Sequence, residues 1–254
     1  MPHRSLAEQI HAGFPGAVPV GAFVSAWADR CAEHGFVADN SLLLVGVCRD
    51  EVCFPFVAQV EDVWGPAFHM DSLGGLVTIG RTGISAAGHH APEDPGQPLR
   101  YVVVASAHIG MDATGGFGYL RRSHQATASR TCGALMAFRD ELLTSHLHLG
   151  YDPVDPEMSL LRQRILSALI YGEVPDPVDL TGIVAGIIDA DLRDLMAWYA
   201  EELADAHEAR CATVTGILIH TASGDWFQPR APRIWSSATG EQPVDLDVGA
   251  RGRG

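Results

Sequence analysis

Leu42–Asp50 reads LLLVGVCRD: five apolar residues and a glycine run into a cysteine, an arginine and an aspartate. A short unbroken apolar run of this kind suits a strand buried on both faces of a parallel sheet. Downstream, across Glu51–Trp64, Val52, Phe56, Val57, Val60 and Trp64 recur at helical spacing. Cys48, Arg49 and Asp50 therefore fall where a central strand gives way to a helix. In open α/β sheets that carboxyl edge is where ligands bind. A thiol and a carboxylate two residues apart at such an edge can both face one metal ion.

Working outward, Val18–Gly35 reads as an amphipathic helix with Phe23, Trp27, Ala28 and Cys31 on one face and Gly35 as its stop. Leu76–Ile79 is expected as a second short strand ending in Gly80-Arg81-Thr82-Gly83, and Ile84–His90 as a brief helix. Tyr101–Ala107, YVVVASA, is rich in β-branched residues and reads as a third strand emptying into His108. Asp112–Ser123 is a glycine-rich loop carrying Arg121 and Arg122, and Cys132 opens a helix running to about His146. Pro156–Tyr171 and Val178–Ala209 read as helical; Thr213–His220 and Trp226–Trp235 then flank Ala222-Ser-Gly-Asp225 as a closing β-hairpin. The expectation is an α/β fold: a central, mainly parallel sheet flanked by helices, with a helical C-terminal half. Without an internal repeat or a linker, residues 1–240 are expected to form one domain and 241–254 a flexible tail.

Composition narrows the function. The 254 residues are 47% hydrophobic and 19% charged, which is globular, and the formal net charge of −14 argues against a nucleic-acid partner. Arg121-Arg122 is too small a cluster to reverse that. No apolar run is long enough to cross a membrane and the opening residues lack an apolar signal core, so a cytoplasmic protein is expected. All 17 basic residues are arginine. The absence of lysine excludes Schiff-base and pyridoxal phosphate chemistry and the lysine of a Walker-type loop. Five cysteines, an odd number, do not form a disulfide framework by count alone, and ligation, catalysis or plain burial remain for them.

Three sheet exits carry Cys48, His108 and Cys132. Two thiols and an imidazole are a donor set that favours zinc, and three protein ligands leave the fourth position open for catalysis. Spacing alone leaves three unrelated buried residues as an equal alternative. Five motifs add to it in order: C-R-D-E at Cys48–Glu51, G-R-T-G at Gly80–Gly83, H-H-A-P at His89–Pro92, H-I-G at His108–Gly110 and C-G-A-L at Cys132–Leu135. Over Leu42 to about Phe138 the chain resembles the low-CO2-inducible protein B/C family, the theta class of carbonic anhydrases, which is itself similar to beta carbonic anhydrases in fold and site. The resemblance implies Zn2+ held by Cys48, His108 and Cys132, Asp50 as the active-site aspartate, carbon dioxide and bicarbonate as substrates, and a homodimer. It implies an arginine paired with Asp50, for which Arg81 is the first candidate and Arg49 the second.

The chemistry suits these residue types. Zinc lowers the pKa of bound water to about 7, giving a hydroxide that attacks carbon dioxide in a dry pocket while Asp50 orients it. Other readings stay open. One is a catalytically silent zinc protein that binds bicarbonate or a partner. Another is a thiol enzyme built on Cys48, whose pKa a helix N-terminus and Arg49 would lower. His89 and His90 are equally proton shuttles or helix-end histidines. Cys53 reads as core, as do Phe54, Phe56 and Leu73 ahead of a role in lining a substrate pocket. Gly116-Phe-Gly118 lacks the third glycine of a dinucleotide loop, and Gly83–Gly88 misses a nucleophile elbow by one residue.

Overall fold

The computed structural model describes residues 4–246 and 248, apart from 94, 171 and 204–207. A capping box between Ser5 and Glu8 starts α1 (Leu6–Gly13). Strand β1 (Val18–Pro19) runs straight into α2 (Val20–Glu33), whose Phe23, Trp27 and Cys31 are fully buried, as its amphipathic spacing requires. The apolar run forms β2 (Leu42–Gly46). Asp50 then caps a single 3-10 turn, Glu51–Cys53, which leads into α3 (Phe54–Trp64) with Pro55 in its first turn, where a missing amide costs nothing. Next come β3 (Phe68–His69), α4 (Gly80–Gly88) and the long β4 (Leu99–Gly110). A small hairpin, β5 (Tyr119–Leu120) and β6 (Ser129–Arg130), precedes α5 (Gly133–Thr144), α6 (Pro156–Leu166) and α7 (Pro177–Leu203). The chain returns through β7 (Ala209–His220), β8 (Trp226–Ser236) and β9 (Gly240–Pro243).

The main sheet has the order β1-β8-β7-β4-β2-β3, with β9 beside β8. Its centre is parallel: β3 on β2, β2 on β4, and β4 on β7 in register from Leu99↔Ala209 to Gly110↔His220. Only β8 and its neighbours run antiparallel. From β2 the chain goes to β3 on one side and then to β4 on the other, so the order reverses between β2 and β4. That reversal opens a crevice at the carboxyl ends of these strands. The near-continuous burial of β4 and β7 follows from a position covered on both faces. Helix α7 packs across both strands, while α2 and α3 meet each other near β8 and β2. A stack of Phe23, Phe227 and Phe56, with centroids 4.0 and 5.3 Å apart, joins the second pair to the sheet. Gly216 of β7 makes room for it, since a Cβ there would meet the Phe227 ring at 2.4 Å.

Several boundaries differ from the sequence reading. Leu76–Ile79 is not a strand. It is an irregular lead-in, extended at Leu76 and already helical in backbone at Ile79, and Gly80-Arg81-Thr82-Gly83 is the first turn of α4. The helix expected over 156–171 stops at Leu166, and Ala209, expected at a helix end, begins β7. The tail expected from 241 keeps its first three residues in β9, where pairing with β8 outweighs their polarity; its end lies largely outside the described residues. Among the described residues no helix is long and apolar enough to cross a membrane.

Candidate metal centre

The crevice between β2 and β4 gathers the three predicted ligands. Cys48 lies just beyond β2, where it bridges to Ser72. His108 is near the end of β4, and Cys132 is the N-cap residue of α5. Ligand atoms of Cys48, His108 and Cys132 all lie within 4.8 Å of one another, and the three side chains are buried. The two sulfurs are 3.6 Å apart. Tetrahedral zinc with Zn–S bonds of about 2.3 Å would set them about 3.8 Å apart. Among the described residues neither ring nitrogen of His108 has a hydrogen-bond partner, although both are buried. An imidazole left in that state costs about 1–3 kcal/mol, which a metal ligand recovers. The donor set and the orphaned ring both fit zinc.

Electrostatics at the sulfurs point the same way. The hydrogen bond between the two thiols pulls the Cys48 pKa down against the opposing effect of burial, with His108 adding to the fall. The same bond, reinforced by burial, pushes Cys132 up, while the Leu135 and Ala134 amides at the start of α5 resist. The pair is thus poised to ionise at Cys48 first, which suits the binding of a cation. In contrast, burial pushes the Cys31, Cys53 and Cys211 thiols up, and all five cysteines are free.

Asp50 stands beside this cluster but is turned to an arginine. Arg122 Nη2 donates to both carboxylate oxygens at 2.8 and 2.9 Å, and the side chains are only 12% and 11% exposed. Burial, the largest single influence, works against the Asp50 charge, but the Arg122 hydrogen bonds and charge, with His108 and Glu51 adding to them, together outweigh it and hold the carboxyl below the usual range. Arg122 is itself gripped: Nε donates to Glu51 at 2.6 Å, and Nη1 donates to Ser129 and, at 3.4 Å, to the Arg130 carbonyl. The β5–β6 hairpin that carries Arg122 ends immediately before Thr131-Cys132, so one excursion of the chain delivers both the clamp and a ligand.

The partner of Asp50 is therefore Arg122, not Arg81 or Arg49. Arg81 sits in α4 with its guanidinium 5.2 Å from the centroid of the Trp198 ring. Arg49, 60% exposed, points away to Glu157, 2.7 Å distant. His89 and His90 follow α4 and are exposed, with His90 beside the Phe68 ring. Phe56 is core, while Phe54 is exposed. Sequence reasoning also passed over Gly75. At φ 77° a Cβ would stand 2.2 Å from the Ser106 carbonyl oxygen and 3.5 Å from the Cys48 amide, so only glycine lets the Ser72–Leu76 turn lie flush against the two strand ends. The one signal for Arg122 was an arginine pair inside a glycine-rich loop between two ligands. Gly75 gave only a Gly-Gly pair.

Comparison with known proteins adds an independent line. A family model described as limiting CO2-inducible proteins B/C beta carbonic anhydrases matches residues 17–235. The crystal structure of PtLCIB4, a homolog of the limiting CO2-inducible protein LCIB, superposes with a TM-score of 0.80 at 22% identity, covering 96% of this chain and all (100%) of its own. That of LCIB gives 0.72 at 26% identity, covering 95% of this chain and 100% of its own. A comparison with curated proteins finds no match.

Proposed function

The chain belongs to the limiting CO2-inducible protein B/C family of beta carbonic anhydrases, and from that premise we propose that it is a zinc-dependent lyase interconverting carbon dioxide and bicarbonate. The observation that carries the reading is the buried Cys48–His108–Cys132 cluster with an orphaned imidazole at the carboxyl edge of the sheet. Zinc bound there would supply a water whose pKa is lowered to about 7.

The chain's own residues supply the rest. Arg122 holds both oxygens of Asp50, which keeps the carboxylate from swinging in as a fourth ligand and fixes its free lone pairs. So held, Asp50 accepts a hydrogen from the reacting water and directs its oxygen toward the carbon of carbon dioxide. Burial of the three ligands keeps bulk water away from an apolar substrate. Five free thiols suit a reducing, cytoplasmic setting, and the family resemblance supports a homodimer.

The test is stopped-flow hydration from about pH 6.5 to about 9, with zinc measured on the same samples. Asp50→Ala is expected to keep its zinc and lose most of the activity. A zinc-loaded wild type silent throughout would leave a binding protein, and an active zinc-free one would leave a thiol enzyme.

A further inference from the structure

His108 belongs to two clusters. Besides Cys48 and Cys132, a second pair of donors, the Cys53 thiol and a ring nitrogen of His220, lies within 4.8 Å of one of its ring nitrogens and of each other. All of these side chains are buried, and the two imidazoles meet edge to face at 5.3 Å. An imidazole that gives one nitrogen to a metal keeps a hydrogen on the other, and that N–H needs an acceptor. In metal sites it is normally a carboxylate or a carbonyl. Here neither bonds to it: among the described residues both nitrogens of His108 lack any hydrogen-bond partner, and Cys53 and His220 stand near without yet forming one.

The bonding around Cys53 and His220 runs in one direction. The Asp225 carboxylate lies 3.1 Å from His220 Nδ1, so the hydrogen sits on Nδ1 and Nε2 is left as an acceptor. Nε2 is 3.8 Å from Cys53 Sγ, within reach of the thiol hydrogen. The sulfur then keeps its lone pairs, and it lies within 4.8 Å of a His108 ring nitrogen that makes no hydrogen bond in this structure. Once a metal draws on the ring, a His108 N–H closing that gap would make every link donate toward Asp225.

We infer that Cys53 and His220, anchored by Asp225, are positioning residues for His108: they take the hydrogen of its non-ligating nitrogen, fix the tautomer and orientation of the ring, and so tighten metal binding at Cys48, His108 and Cys132. The inference rests on the zinc reading above. Cys53, His108 and His220 are themselves a possible donor trio for a second ion. Two ions sharing one ring would have to strip it of both hydrogens and hold two dications one ring apart, so the outer-support role is the one the geometry favours.

Zinc affinity of the full chain, measured by chelator competition, tests this. Cys53→Val and His220→Phe are expected to bind zinc about 10–100-fold more weakly. Cys53→Ser, which keeps a donor and an acceptor, restores most of the affinity, and Asp225→Asn gives an intermediate loss. Cobalt(II)-loaded Cys53→Val is expected to show an altered visible spectrum. Wild-type affinity in folded Cys53→Val and Asp225→Asn would overturn the inference. So would two metals per wild-type chain falling to one in Cys53→Val, which would make the trio a second metal site. Failure of the underlying reading looks different: zinc is then absent from the wild type, or survives both Cys48→Ser and Cys132→Ser.

Discussion

The arginine that clamps Asp50 decides what the aspartate can do. Arg122 Nη2 bridges both carboxylate oxygens, and its other nitrogens are committed to Glu51 and Ser129. It therefore arrives oriented, and little side-chain freedom remains to be lost when substrate enters. Removing it frees Asp50 both to rotate and to approach the metal. Arg122→Ala is expected to lower hydration about a hundredfold or more with zinc retained, the scale of losing an orienting group. Arg81→Ala and Arg49→Ala should leave hydration near wild type, because one stacks on Trp198 and the other forms an exposed ion pair with Glu157. Hydration assays on the three zinc-loaded variants rank them, and a loss at Arg81 equal to that at Arg122 would return the role to the α4 turn. Nothing in the sequence separated these arginines. All three lie near glycines or motif residues, and the pairing spans 72 positions, a distance at which no periodicity reports.

The elements that carry the site differ in how well they are fixed. Strands β2 and β4 announce themselves by composition, as does the hairpin of β7 and β8, and their ends place Cys48 and His108. The motif order placed Cys132. Two-residue strands such as β3, β5 and β6 have no pattern of their own and exist because neighbours complete their hydrogen bonds; Leu76–Ile79, more apolar than any of them, pairs with no strand among the described residues. The loop between β4 and β5, which leads to Arg122, depends on Asp112. Its Oδ1 accepts from the Thr114 amide and hydroxyl and from the Gly116 amide at 2.7–2.9 Å, and these bonds, the hydroxyl first, hold the carboxyl below its usual range. A pKa lower in the folded state than in the unfolded contributes stability above the unfolded value of about 4 and loses it as pH falls through the folded one. Asp112→Asn is thus expected to unfold in less urea than wild type at pH 7, the gap closing as pH drops below about 4. A gap independent of pH would mean that the carboxylate charge is not what holds the loop.

At the scale of the whole molecule, a strand late in the sequence, β7, sits at the middle of the sheet. β7 pairs along its full length with β4, so the strand that carries His108 is completed on its other side only by residues beyond α7. Cys48 and Cys132, 84 positions apart, meet only when β2, β4 and the start of α5 are all in place. An unfolded chain presents no such set, and metal bound only by the folded form stabilises all of it. At free zinc about a thousandfold above its dissociation constant the gain is about 4 kcal/mol. For a chain near 250 residues each kcal/mol moves Tm by about 2–4 °C, so the melting temperature is expected to rise by about 8–16 °C over the chelated protein. Binding displaces thiol protons, and the rise should be larger at pH 8 than at pH 6. Cys132→Ser should lose the zinc-dependent rise, whereas Cys31→Ser, in the core of α2, should keep it at a lower baseline. Calorimetric scans with zinc and with chelator decide the matter: a wild type whose Tm ignores both would mean that Cys48, His108 and Cys132 are packed together without a metal.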